Sequence, residues 1–90
     1  MLKPVYTKRF EKSISRCIKR GYDIELFKEI AVLLIKDIPL PSKCRPHKLI
    51  GEFTNHLECH IKPDWLLIYR YDDEHTQIIF EDTGTHSDLF

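Results

Sequence analysis

A proline-punctuated stretch, residues 38–48, divides this chain into two parts with different periodicities. Pro39, Pro41 and Pro46 prevent either a helix or a strand from running through it. Before it, apolar residues recur at helical spacing. Phe10, Ile14, Cys17 and Ile18 stand at i, i+4, i+7 and i+8, which predicts a helix from about Thr7 to Arg20. Thr7 can cap that helix, and Gly21 stops it. Asp23 is placed to cap a second helix reaching about Lys36, with Ile24, Phe27, Ile30, Ala31, Leu34 and Ile35 turned inward. The short link between the two helices predicts an antiparallel hairpin. After the connector the period falls to two: Leu57, Cys59 and Ile61 alternate with Glu58, His60 and Lys62. The first set is expected to face the core and the second to face out. Pro63-Asp64 turns the chain, Trp65–Tyr71 reads as a central strand, and 77–80 as its partner across a 72–76 hairpin. With an extended opening at 2–6, the order is β-α-α-β-β-β. This predicts one α+β domain over 1–90, its N-terminal strand and helical hairpin packed on a small antiparallel sheet.

Composition narrows the function classes. Ninety residues support one modest core, and 42% hydrophobic with 11% aromatic residues describe a globular chain, not a disordered one. Cys17, Cys44 and Cys59 are odd in number and form no C-x-x-C pair, which argues against a disulfide framework or a zinc knuckle and for a reducing cytoplasm. The start reads as polar sequence, not a signal peptide, and the longest apolar run, 30–35, is too short to span a membrane. The net charge is zero but the charge is segregated. Residues 1–20 hold seven cations (Lys3, Lys8, Arg9, Lys12, Arg16, Lys19, Arg20) against Glu11, while 71–90 hold six acids and no Lys or Arg. A basic first helix suits a phosphate backbone or an acidic protein segment; its plainer reading is a solvated helix face.

Chemistry concentrates in His47, Glu58, His60, Asp64 and His86. Glu58 and His60 are two apart on one strand and share a face; Asp64 ends that strand; His86 follows a compact Thr83-Gly84-Thr85 at the end of the last strand. The simplest RNA cleavage needs a base for the 2′-hydroxyl proton, an acid for the departing 5′-oxygen, and positive charge at the phosphorus. Imidazole fits either proton role. Each residue has a plainer reading: His47 as a loop surface residue, His60 as a solvated strand residue, Asp64 as an Asx turn, Trp65 as core or rim, Phe90 as a plug on the core. His56 and His75 read as surface residues. No spacing is a strong zinc signal, so neither metal nor cofactor is expected.

At these residues the chain resembles YafQ-like toxins of the RelE/ParE superfamily. The block Cys59-His60-Ile61-Lys62-Pro63-Asp64-Trp65-Leu66-Leu67-Ile68-Tyr69-Arg70 is similar to the family's H-x-x-P-D-W-x-L-I-Y-K/R signature. The tail 83–90 resembles its T-G-T-H-x-x-L-F ending, and Leu40-Pro41 through His47, Leu49 and Gly51 resembles its L-P-x…H-x-L-x-G stretch. The resemblance implies a RelE-like fold and the toxin of a type II toxin–antitoxin pair, an mRNA interferase acting on mRNA in the ribosomal A site. It implies a cognate antitoxin that covers the cleft and carries operator DNA contact for the complex. It also implies a catalytic set of His47, Glu58, His60, Asp64 and His86, with Phe90 stacking on or positioning a base and Trp65 near substrate. Lys8, Arg9, Lys12, Arg16, Lys19 and Arg20 would grip ribosomal RNA. Family members often carry Arg shortly before Thr-Gly-Thr-His, where this chain has Glu81-Asp82. The transition-state charge would then come from Lys48, Lys62, Arg70 or a protonated histidine.

The expected activity is metal-independent cleavage by 2′-hydroxyl attack, with His60 or Asp64 as base and His86 as acid. The alternative expectation is a non-catalytic ParE-like toxin directed at a protein such as gyrase, or a module that binds antitoxin and tunes repression. Direct DNA binding by the first helices is disfavoured, since neither offers a recognition helix.

Overall fold

A computed structural model of the chain describes residues 1–51 and 54–90. Thr7 caps α1 (Lys8–Lys19) as anticipated, its hydroxyl oxygen accepting the Phe10 N–H at 2.9 Å. Gly21, at φ +90°, takes the chain out of the helix. Asp23 caps α2 (Ile24–Ile35) by accepting the Glu25 N–H at 3.0 Å. Strands β1 (Lys3–Tyr6), β2 (His47–Lys48), β3 (Leu57–Lys62), β4 (Trp65–Tyr71) and β5 (Gln77–Gly84) form one sheet in the order β1-β5-β4-β3-β2. The connector contains a 3₁₀ turn at Ser42–Cys44 and the two-residue β2. A one-turn helix, α3 (His86–Leu89), completes the chain.

The α+β layout is the expected one, with a difference in the sheet. β1 lies parallel to β5, while the other pairings are antiparallel. The helical hairpin returns the chain to the end from which β1 started, so β3 leaves in the direction of β1. The two hairpins that follow then give β5 that direction too. Parallel neighbours need a long crossover, and here it is most of the protein.

The helices cover one sheet face. Phe10, Phe27 and Phe80 touch in a triangle of ring centroids 5.2, 5.5 and 5.8 Å apart, joining α1, α2 and β5. Cys17, Leu34, Cys59, Leu67, Tyr69 and Ile78 extend that core. One stripe position differs from expectation: Ile18 is 49% exposed, whereas Ser13 is buried. The α1 face is turned toward β5, where the Ser13 hydroxyl donates to Asp82 Oδ1 at 2.5 Å.

The opposite face is not simply solvated. Leu66 and Ile68 are fully buried there without belonging to the helix-side core. Glu58, expected to point outward into solvent, is only 5% exposed. Its side chain does lie away from the helices. However, the segment carrying His47 pairs along β3 and reaches back to it, and His56 reaches Glu81 on the same face.

A histidine-lined candidate active site

Sheet register assembles the cluster. His47 lies opposite Glu58, and His60 lies opposite Leu66, which in turn lies opposite Gly84. The row His60–Leu66–Gly84 therefore delivers the chain to Thr85 and His86 beside His60. Ring centroids of His47 and His60 are 6.4 Å apart, and those of His60 and His86 are 6.0 Å apart. Three imidazoles distant in sequence thus line one cleft.

Hydrogen-bond partners assign a tautomer to each ring. Nδ1 of His86 is 2.6 Å from Asp64 Oδ1, and the His86 backbone N–H donates to the same oxygen at 2.9 Å. A carboxylate only accepts, so Nδ1 carries hydrogen and Nε2 is left for chemistry. These contacts, the backbone one first, hold the Asp64 carboxyl below its ordinary value, so it stays ionised beside His86. Nδ1 of His60 faces the Pro63 carbonyl at 3.3 Å, which again leaves Nε2 as the working nitrogen. Nδ1 of His47 donates to the Arg45 carbonyl at 2.9 Å, and its Nε2 is 3.2 Å from Glu58 Oε1. That second contact is a hydrogen bond only when Nε2 also carries a proton. When it does, His47 contributes positive charge near His60.

α3 is held by a network that sequence reasoning missed. Thr85 and Asp88 form a capping box, with Asp88 N–H donating to Thr85 Oγ1 at 3.1 Å and Thr85 N–H to Asp88 Oδ2 at 2.9 Å. Arg20, at the end of α1, grips the same carboxylate with two nitrogens at 2.6 and 3.1 Å. The Arg20 guanidinium, foremost, holds the Asp88 carboxyl far below the carboxylate range. Gly84 has φ +154°, and a Cβ there would lie 2.8 Å from Asp88 Oδ2. The spacing S/T-x-x-D after a glycine was the available signal.

The remaining expected site residues divide. Phe90 is 64% exposed at the mouth of α3, its N–H donating to the His86 carbonyl at 2.9 Å. Lys48 and Lys62 are exposed. Arg70 is engaged by Glu81, Nε to Oε1 at 3.3 Å, and the same oxygen is 3.6 Å from His56 Nε2. His56, read as mere surface, therefore belongs to this face; its spacing of two from Glu58 and four from His60 was the signal. His75 is structural, stacking on Tyr71 at 4.3 Å and bonding Asp37. Trp65 is 2% exposed, with its indole N–H donating to Thr83 Oγ1 at 2.9 Å, the placement its plainer reading as core or rim expects. As the first residue of β4 it points into the helix-side core. Lys8, Arg9, Lys12, Arg16 and Lys19 are exposed on α1, whereas Arg20 is committed to Asp88. Asp82, near where the family often places arginine, accepts from Ser13 and from the Thr83 N–H and serves the fold. Among the described residues, no group of three or more His, Cys, Asp or Glu is arranged to hold a metal ion.

Comparisons with known proteins converge on one group. A family profile described as bacterial toxin of type II toxin-antitoxin system, YafQ, matches residues 2–90. The mRNA interferase toxin YafQ of Escherichia coli K12 is 36% identical over 86 residues, covering 94% of this chain and 91% of that protein. YafQ in the E. coli DinJ–YafQ complex superposes with a TM-score of 0.90 at 34% identity, covering 100% of this chain and 99% of that one. A metal-bound toxin from Helicobacter pylori gives 0.92 at 33% identity, with 100% of both chains covered.

Proposed function

Because the chain belongs to the YafQ family of bacterial toxins of type II toxin–antitoxin systems, we propose that it is an mRNA interferase, cutting RNA by attack of the 2′-hydroxyl on the adjacent phosphorus. The observation that carries this reading is the pairing of His60 and His86. Their ring centroids are 6.0 Å apart, and each ring is anchored through Nδ1 with Nε2 left to work. Nε2 of His60 takes the 2′-hydroxyl proton. The 2′-oxygen forms its bond to phosphorus as the bond to the 5′-oxygen breaks, and Nε2 of His86 protonates that leaving oxygen. The products are a 2′,3′-cyclic phosphate and a 5′-hydroxyl. Asp64, with one oxygen already engaged twice by His86, is an orienting residue and supports the imidazolium; this favours His60 over Asp64 as base. His47, 3.2 Å from Glu58 and beside His60, is placed to supply the charge that the missing arginine would have supplied. Lys48 and Lys62 attract phosphate at the rim, and Phe90 offers a stacking face for a base.

The partner in this reading is an antitoxin, as DinJ is for the E. coli relative. Its acidic, amphipathic segment suits the exposed Lys8, Arg9, Lys12, Arg16 and Lys19, and operator DNA is reached through the complex. The place of action is the cytoplasm, at translating ribosomes; among the described residues no helix is long and apolar enough to cross a membrane.

The test is cleavage of one mRNA with and without translating ribosomes, comparing wild type with His86→Ala and mapping the ends. Cuts ending in cyclic phosphate, lost in the variant, support the reading; cuts only on ribosomes add the A-site requirement. Unchanged cutting by His86→Ala removes His86 from the chemistry. Intact RNA together with poisoned gyrase supercoiling would replace the nuclease by a ParE-like toxin.

A further inference from the structure

We infer that the cavity beside His60 is the subsite for the nucleotide on the 5′ side of the cut. The inference rests on the nuclease reading and adds where the substrate lies. The cavity has a volume of about 510 Å³, within the range of small-ligand pockets, and His60 forms part of its wall. Leu26 and Leu33 of α2 supply apolar surface for a base, and Lys43, Arg45 and Lys62 stand at it as exposed cations against the acid Glu29.

Direction follows from the chemistry. If His60 takes the proton, the ribose whose 2′-hydroxyl attacks lies at His60, and that ribose belongs to the nucleotide 5′ of the broken bond. Its base enters the cavity that His60 walls, and its own 5′-phosphate meets the three cations. The downstream nucleotide leaves past His86 toward Phe90. Arg45 joins the two regions. It adopts a left-handed backbone (φ 49°) just after the 3₁₀ turn, and its carbonyl holds His47 at 2.9 Å. The segment 43–47 thus presents Lys43 and Arg45 to the cavity and His47 to the cleft.

Two other depressions fit this role less well. The one between Tyr22 and Trp65, about 360 Å³, sets Asp23 and Asp64 against Lys62, so a phosphate there meets two acids and one cation. The groove between α1 and α2 is almost wholly apolar and includes none of the cleft histidines.

The experiment uses short RNAs carrying a mapped cut site, one extended 5′ of the cut nucleotide and one beginning at that nucleotide without a 5′-phosphate. For wild type, removing the upstream phosphate raises KM about tenfold with kcat little changed, as expected for one charge-assisted contact. Lys43→Glu and Arg45→Gln start with the raised KM and gain nothing from the extension, while Arg45→Lys recovers it. Each neutralised cation lowers the slope of log affinity against log salt by about 0.7. Leu33→Trp, which fills the cavity, raises KM for both RNAs; circular dichroism and melting verify that each variant is folded. Variants that respond to the extension as wild type does overturn the subsite while leaving the nuclease standing. Variants that lose neutralisation by antitoxin but keep wild-type KM overturn it in favour of a protein contact. A wild-type protein that cuts neither these RNAs nor mRNA on translating ribosomes brings down both readings.

Discussion

Asp64 spends one carboxylate oxygen on two hydrogens of His86, the backbone N–H and Nδ1–H. The acid therefore sets both where the ring is and which nitrogen it presents. Asp64→Asn keeps an acceptor but loses the charge, whereas Asp64→Ala loses both. Single-turnover cleavage is expected to fall least for Asn, by up to about 10²-fold for Ala, and by about 10²–10⁴-fold for His86→Ala. Equal rates for wild type and Asp64→Ala would remove the orienting role. Phe90, 64% exposed, should behave differently: Phe90→Ala raises KM more than it lowers kcat, as steady-state cleavage would read. Residue identities at the cleft were readable from motif and spacing. The burial of Glu58 was not, because alternation along a strand says which face a side chain takes but not what comes to lie over it.

At the scale of the element, α3 is too short to be stable by its own hydrogen bonds, and its capping box and the Arg20 clamp hold it in place. A Cβ at position 84 would collide with the side chain that completes that cap. Gly84→Ala is therefore expected to cost about 1–3 kcal/mol and to slow cleavage by loosening His86, as read by chemical denaturation and rate together. The network also has a pH signature. The folded state depresses the Asp88 carboxyl, so its contribution is complete above the ordinary carboxylate value near pH ~4 and is lost as pH falls from there toward the depressed value. Melting temperature against pH should drop more steeply below about pH 4 for wild type than for Asp88→Asn. Parallel curves would mean that the ion pair adds nothing, the ordinary outcome for an exposed pair. Helix starts and stops were legible because Thr7, Asp23 and Gly21 act through local backbone chemistry. The α1-to-α3 clamp joins residues 68 apart in sequence, and no local signal reports it.

At the scale of the whole molecule, the proposed chemistry is carried by proton transfer between side chains. Cleavage should then persist at full rate after dialysis against a chelator; loss on chelation and recovery with a divalent cation would replace the two-imidazole mechanism. The buried thiols offer a check on the core: burial, above all, pushes the Cys59 thiol up to about 12, so it should resist alkylation until the chain unfolds. What the amino-acid sequence determined by itself was local or periodic: two capped helices, the change from helical to alternating spacing across the prolines, the α+β layout, and the motif residues that meet in the candidate site. Caps, stops and alternation act over one to four residues, and a motif is contiguous, so both survive in one dimension. The tertiary structure alone decided the rest: β1 parallel to β5, Trp65 inside, Glu58 under His47, Arg20 on Asp88, and the cavity beside His60. Those outcomes depend on which strands become neighbours and in what register, and that is settled by burying one common core rather than by any single segment of the chain.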